Sequence, residues 1–100
     1  MYGSVFKMKA KAGAKGDLIS LMDDEMRTRV LKGVRASYLL DGGGDEVWGV
    51  AVFDDEKTYR ENAASPEQDA AYRRMRALLQ ADPEWHDGAI SAWTAQAAAR

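Results

Sequence analysis

The chain has 100 residues, 46% of them hydrophobic and 30% charged, with a formal net charge of -2. That is the composition of an ordinary globular domain, and it excludes a disordered chain and the basic excess expected of a nucleic-acid binder. Cysteine is absent and His86 is the single histidine, so disulfides, thiolate metal sites, a cysteine nucleophile and a multi-histidine centre within one chain are excluded together.

No metal site is expected, because the acidic residues show no calcium-loop spacing. The opening MYGSVFKMKAK has no apolar core of signal-peptide length, and no stretch approaches the ~18 apolar residues of a membrane span. The expectation is a cytoplasmic protein with neither membrane nor nucleic-acid partners.

Tyr2 to Lys9 alternates, with Tyr2, Ser4, Phe6 and Met8 opposing Gly3, Val5, Lys7 and Lys9, and this period of two predicts a strand. After the connection from Ala10 to Gly16, Leu18, Ile19, Met22, Met26 and Val30 recur at helical spacing and predict a helix ending near Gly33. Val34 to Leu40 and Val47 to Phe53 read as a hairpin around Asp41-Gly42-Gly43-Gly44-Asp45. The triple glycine invites comparison with a phosphate-cradling loop. Yet a strand follows it rather than a helix, no Lys or Ser/Thr is placed to bind phosphate, and Asp41, Asp45 and Glu46 repel anions, so it reads as a turn.

Both faces of the strand from Val47 to Phe53 are apolar: Trp48, Val50 and Val52 on one, Val47, Gly49, Ala51 and Phe53 on the other. A sheet covered by helices on one side only should have a polar second face. This one asks for a partner, and a second copy of the sheet is the simplest.

Asp54 is the expected cap of a short helix through Ala64. Ser65-Pro66-Glu67-Gln68 restarts helix, with Ser65 at the N-cap, Pro66 at the first helical position and Gln68 completing a capping box by reaching back to the Ser65 N–H. Ala71, Tyr72, Met75, Leu78 and Leu79 form its apolar stripe, and Asp82-Pro83 ends it. Glu84 to Thr94 alternates as a fourth strand, with Trp85 and Asp87 opposing His86 and Gly88. Residues 95–100 are a tail, either frayed or a short helix, and residues 1–94 form one domain. The order β-α-β-β-α-β, its second helix broken near Ser65, predicts an α+β, ferredoxin-like domain: a four-stranded antiparallel sheet with helices on one face.

The run VWGVAVFDDEKTYRENAASPEQDAAYRRM resembles the central segment of the antibiotic biosynthesis monooxygenase-like proteins, in which a strand ends in an aromatic and an acidic residue, a short helix follows, and a Ser-Pro-Glu-type restart opens the next. Phe53-Asp54, Glu56 to Ala64 and Ser65-Pro66-Glu67 take those places, and the first strand, the KAGAKGDLI stretch and the closing strand fit as well. The resemblance implies a dimeric α+β barrel, a homodimer joined through its sheet faces, with a ligand pocket between sheet and helices in each subunit. Relatives include cofactor-independent oxygenases of aromatic polyketides, quinol oxygenases and haem-degrading enzymes. The haem-degrading members use an asparagine on the first strand, a tryptophan ending the third and a histidine on the last helix. Here the first strand has no asparagine, Phe53 takes the tryptophan's place, and AAYRRMRALLQ has no histidine. Haem degradation is therefore not implied.

In such a pocket the alternation places Phe6, Met8, Ala51 and Phe53 on the sheet wall, with Tyr59 and Tyr72 facing them from the helices. The same residues are also what an ordinary core needs. The Tyr72 hydroxyl is a candidate proton donor, Arg73 a candidate for a carboxylate or enolate, and Asn62 either bonds a substrate carbonyl or serves the break before Ser65. His86, of the residue type that titrates near neutrality, is the candidate general base, against a structural role at the turn after Asp82-Pro83. Two functions compete: a cofactor-independent monooxygenase acting on a small phenolic or polyketide-like ring, and a non-catalytic dimeric module that binds a small apolar molecule or serves a stress role. No flavin or nicotinamide fingerprint is present, so no bound cofactor is expected.

Overall fold

The computed structural model describes residues 1–29 and 31–94. The expected helical position Val30 and the tail 95–100 lie outside them. The elements run β1 (Tyr2–Lys9), α1 (Lys15–Thr28), β2 (Val34–Asp41), β3 (Glu46–Phe53), α2 (Glu56–Ala63), α3 (Pro66–Arg76) and β4 (Glu84–Ala89). The four strands form one antiparallel sheet in the order β2-β3-β1-β4, the ferredoxin-like arrangement expected from the sequence. Among the described residues no helix is long and apolar enough to cross a membrane, and no group of three acidic or histidine side chains is placed to hold a metal.

The glycine hairpin turns as expected. Gly43 and Gly44 take φ of +84° and +52°, a region that favours glycine. The turn is tied at both ends: the Gly42 N–H donates to the Glu46 carbonyl at 2.9 Å, and Lys15 clamps the Asp41 carboxylate and donates to the Gly44 carbonyl at 2.8 Å. The Lys15 hydrogen bond, with a second from the Gly43 N–H, holds the Asp41 carboxyl below its usual range. Asp41 is thus spent on structure.

Four expectations need correction. First, α1 stops at Thr28, and Arg29 is already extended (φ −88°, ψ 125°). Gly33 supplies the positive φ (+78°) of the following turn instead of ending the helix. Second, Asp55 and not Asp54 caps α2, accepting from the Thr58 N–H at 2.7 Å, whereas Asp54 pairs with Arg35 across the end of the sheet at 2.5 Å. Third, the capping box of α3 is half made. Ser65 Oγ accepts from the Gln68 N–H at 3.1 Å, but the Ser65 N–H goes to the Asn62 carbonyl and the Gln68 side chain turns toward Arg29 and Asn62. Fourth, β4 ends at Ala89 rather than Thr94, because its partner runs out: Ala89 pairs with Tyr2, the first residue of β1.

The face under the helices is divided along its length. Toward the hairpin, Met8 and Val47 are fully buried with Leu18, Met75 and Leu79 in the packed core. Toward the other end the helices stand off the sheet. The opposite face carries Tyr38, Val50, Val5 and His86 in one row across the strands, and Tyr38, Leu40 and Val5 are 59%, 51% and 37% exposed. Its apolar character is as the sequence suggests.

Replacing Ser65 with Ala should cost about 1 kcal/mol of stability through the lost N-cap. Urea unfolding will measure this. The same measurement should show Asp55→Ala lowering the midpoint more than Asp54→Ala, since only Asp55 satisfies a helix N–H.

Candidate functional site

Where the helices stand off the sheet they leave a cavity of about 580 Å³, open to solvent along β4, where Trp85 and Asp87 are exposed. Its floor comes from two rows of the antiparallel register. In the first, Gly49 on β3 pairs with Phe6 on β1, and Phe6 with Trp85 on β4. The Phe6 ring lies over Gly49 so closely that a Cβ there would sit 2.2 Å from its Cζ, while Trp85 packs against it at 4.8 Å between ring centroids. In the second row Ala51 pairs with Ser4 and Ser4 with Asp87. From the helices come Leu21 and Met22 of α1, Tyr59 and Asn62 of α2, and Gln68, Tyr72 and Met75 of α3. Phe53 meets Tyr59 edge-on at 5.2 Å, and Tyr72 approaches Trp85 at 6.4 Å. The walls are thus mostly aromatic and aliphatic, the surface that a flat apolar molecule fits.

Two polar clusters interrupt this surface. The first is Asp87, whose Oδ1 accepts from the Ser4 hydroxyl at 2.5 Å and whose Oδ2 accepts from the Tyr59 hydroxyl at 2.6 Å. Burial, followed by the hydrogen bond to Asp87 and its charge, pushes the Tyr59 hydroxyl up to about 12. Tyr59 is therefore a neutral donor throughout the physiological range. The second cluster is Arg29, whose Nη1 donates to Gln68 Oε1 at 3.2 Å and whose Nε lies 3.7 Å from Glu25, itself held by Arg74 at 2.6 Å. Asn62 Nδ2 reaches the same Gln68 oxygen at 3.5 Å.

Comparison with solved structures places this cavity in a known fold. A candidate antibiotic biosynthesis monooxygenase from Chloroflexus aurantiacus superposes with a TM-score of 0.78 at 21% identity, covering 94% of this chain and 96% of its own. SnoaB, a cofactor-independent oxygenase from Streptomyces nogalater studied as an asparagine-to-alanine mutant, gives 0.78 at 19% identity, with 95% and 97% covered. The chain has the fold of the antibiotic biosynthesis monooxygenase-like proteins. A protein of unknown function from Nitrosomonas europaea is as similar, with a TM-score of 0.81 at 18% identity over 96% of this chain and 94% of that one. No protein-family model and no curated protein matches the sequence. At these identities the likeness is one of fold, and it agrees with the resemblance drawn from the sequence.

Within that fold the candidate residues separate. Phe6, Ala51, Phe53, Tyr59, Asn62 and Tyr72 all line the cavity. Three others do not. Met8 shares their side of β1 but lies toward the hairpin, fully buried against the core. Arg73 projects outward from α3, 79% exposed in an ion pair with Asp69 at 3.0 Å. His86 points to the open face, where it meets Glu84 at 2.9 Å, because alternation along β4 sends Trp85 and Asp87 inward and His86 outward. Sequence reasoning missed Asp87, Ser4, Trp85, Arg29 and Gln68 as site residues. For the first three the signal was the alternation itself. For Arg29 there was none, since its direction depends on where α1 stops.

Gly49→Ala should drive the Phe6 ring into the cavity or the strands apart, an overpacking that costs about 1–3 kcal/mol. Thermal unfolding will show the loss, and Phe6→Leu should restore much of it. For Tyr59 the folded value lies above the ordinary 10.0, so its stabilising effect is complete below pH 10 and lost as pH rises toward 12. The difference in Tm between the wild type and Tyr59→Phe should accordingly be constant to pH 10 and shrink above it.

Proposed function

We propose that the protein is a cofactor-independent monooxygenase acting on a small phenolic or polyketide-like aromatic, and that it works as a homodimer joined through its open sheet faces. The observation that carries this reading is the cavity walled by Phe6, Phe53, Tyr59, Tyr72 and Trp85, in a fold that it shares with a cofactor-independent oxygenase. In such a reaction an electron-rich ring loses a proton, and its carbanion reduces oxygen and forms the C–O bond. The resulting peroxide takes up a proton, the O–O bond breaks as a second ring proton leaves, and a methylene plus O₂ becomes a carbonyl plus water. The protein's part is to hold the ring, exclude water and stabilise the anion. Phe6, Phe53 and Tyr72 hold the ring, and Asn62 bonds a carbonyl. His86 has no part in it.

A non-catalytic binding module is the second reading, and one observation favours it. Every carboxylate lining the cavity is already engaged: Glu25 and Asp69 by arginines, and Asp87 by two hydroxyls. Oxygen-electrode assays with anthrones and naphthoquinols decide between the two. Uptake that needs the protein and survives His86→Ala supports the oxygenase, whereas saturable binding without uptake supports the module.

The dimer is tested separately. The mass in solution should be twice 11.0 kDa, and Val50→Asp, placing a charge in the centre of the open face, should return it to the monomer value. A wild-type protein that remains at 11.0 kDa at all concentrations would exclude the face-to-face pairing.

A further inference from the structure

The two polar clusters of the cavity differ in sign. Asp87 is a carboxylate that only hydroxyls contact, and no basic side chain pairs with it among the described residues. At the other cluster two guanidiniums, Arg29 and Arg74, surround the single carboxylate of Glu25, which leaves one positive charge in excess. Asp69 does not offset it, being paired with Arg73.

The clusters are also held by different parts of the fold, Asp87 by the sheet with Tyr59 of α2, and Arg29 by partners on α1 and α3. Asp87 belongs to β4, whereas Arg29 borders a smaller hollow that it shares with Val34 and Ser37 of β2. Between them the wall is the apolar ring surface of Phe6, Phe53 and Tyr72.

Each end has capacity left. A carboxylate offers about four acceptor sites, of which Ser4 and Tyr59 occupy two. A guanidinium offers about five N–H donors, more than Gln68 and Glu25 engage. Both groups line the cavity, and a ring bound against its apolar wall would shield from water the charge-assisted hydrogen bonds made there.

We propose that the cavity is a two-ended site for a fused-ring aromatic acid, with a ring hydroxyl donating to Asp87 and a carboxylate or equivalent anionic oxygen accepting from Arg29. This rests on the reading that the cavity holds an aromatic ligand, and it is independent of whether that ligand is oxidised. Asp87 and Arg29 then set the direction in which the ring lies, and with it which ring carbon is presented to Tyr59. A neutral hydrocarbon fills the same space but uses the remaining capacity at neither end.

The test is anaerobic calorimetry with 2-naphthol, 2-naphthoic acid and 6-hydroxy-2-naphthoic acid, so that turnover plays no part. The hydroxy acid should bind at least about tenfold more tightly than either one-ended probe, the gain expected for one charge-assisted hydrogen bond. Arg29→Gln should remove the advantage of the hydroxy acid over 2-naphthol and Arg29→Lys should keep part of it, whereas Asp87→Asn should remove its advantage over 2-naphthoic acid. Because each variant is judged by a ratio of probes, a general loss of stability does not imitate these effects. Equal affinity for all three probes would overturn the two-ended site while leaving an aromatic cavity in place, as would an unchanged ratio in Arg29→Gln. Binding of none of them would overturn both this proposal and the ligand reading beneath it. Failure of the oxygenase reading shows only in oxygen uptake.

Discussion

Antiparallel register is the constraint on which everything else in this domain depends. Once Phe6 is opposite Gly49 on one side and Trp85 on the other, the alternation of side chains settles which face every other residue of β1, β3 and β4 occupies. The pairing is held in place from within. Phe6 needs the space that only a glycine at 49 leaves, and Ser4, 2% exposed, needs the carboxylate that only Asp87 brings within reach. A shift by one position would bury Lys7 and remove both arrangements together.

The division of the helical face into a packed end and an open end follows from side-chain size and from the helices. Near the hairpin Leu18 and Leu79 reach down to Met8 and Val47, and the space closes. At the far end the break between α2 and α3 turns polar residues, Asn62 and Gln68, toward the sheet, and they bond to each other and to Arg29 instead of packing. A space that apolar side chains would have filled is left with polar groups at its margins. The same break that interrupts the helical pattern therefore makes the cavity.

Much of this was legible in the sequence, and for definite reasons. Strands announce themselves by a period of two, and β1 and β3 are long enough to show it without ambiguity. The glycine run could be read as a turn because the stretch after it, Val47 to Phe53, is rich in β-branched and aromatic residues. The second apolar face of β3 was visible as a pattern, and it corresponds to a face that the described residues leave uncovered. The extents of β4 and α1 were not legible, because a strand ends where its neighbour ends and a helix can stop at a residue, Arg29, with no local signal. Among the site residues two misplacements share one cause, whereas Met8 lies on the expected face but at its packed end. His86 and Arg73 were chosen for their chemistry, whereas their direction is set by the strand and helix they sit on; the alternation of β4, taken alone, already separated His86 from Trp85 and Asp87.

β4 is the shortest of the four strands and has a neighbour on one side only. It carries a carboxylate toward the cavity and an imidazole toward the open face at adjacent positions, Asp87 and His86. Its register against β1 is therefore also a choice of chemistry. A slip of one residue would exchange an acceptor for a proton-carrying ring inside the cavity, with the opposite exchange on the outer face. The Ser4 and Tyr59 hydroxyls, which bond the carboxylate and not the ring, are what tie this edge strand to one of its two settings.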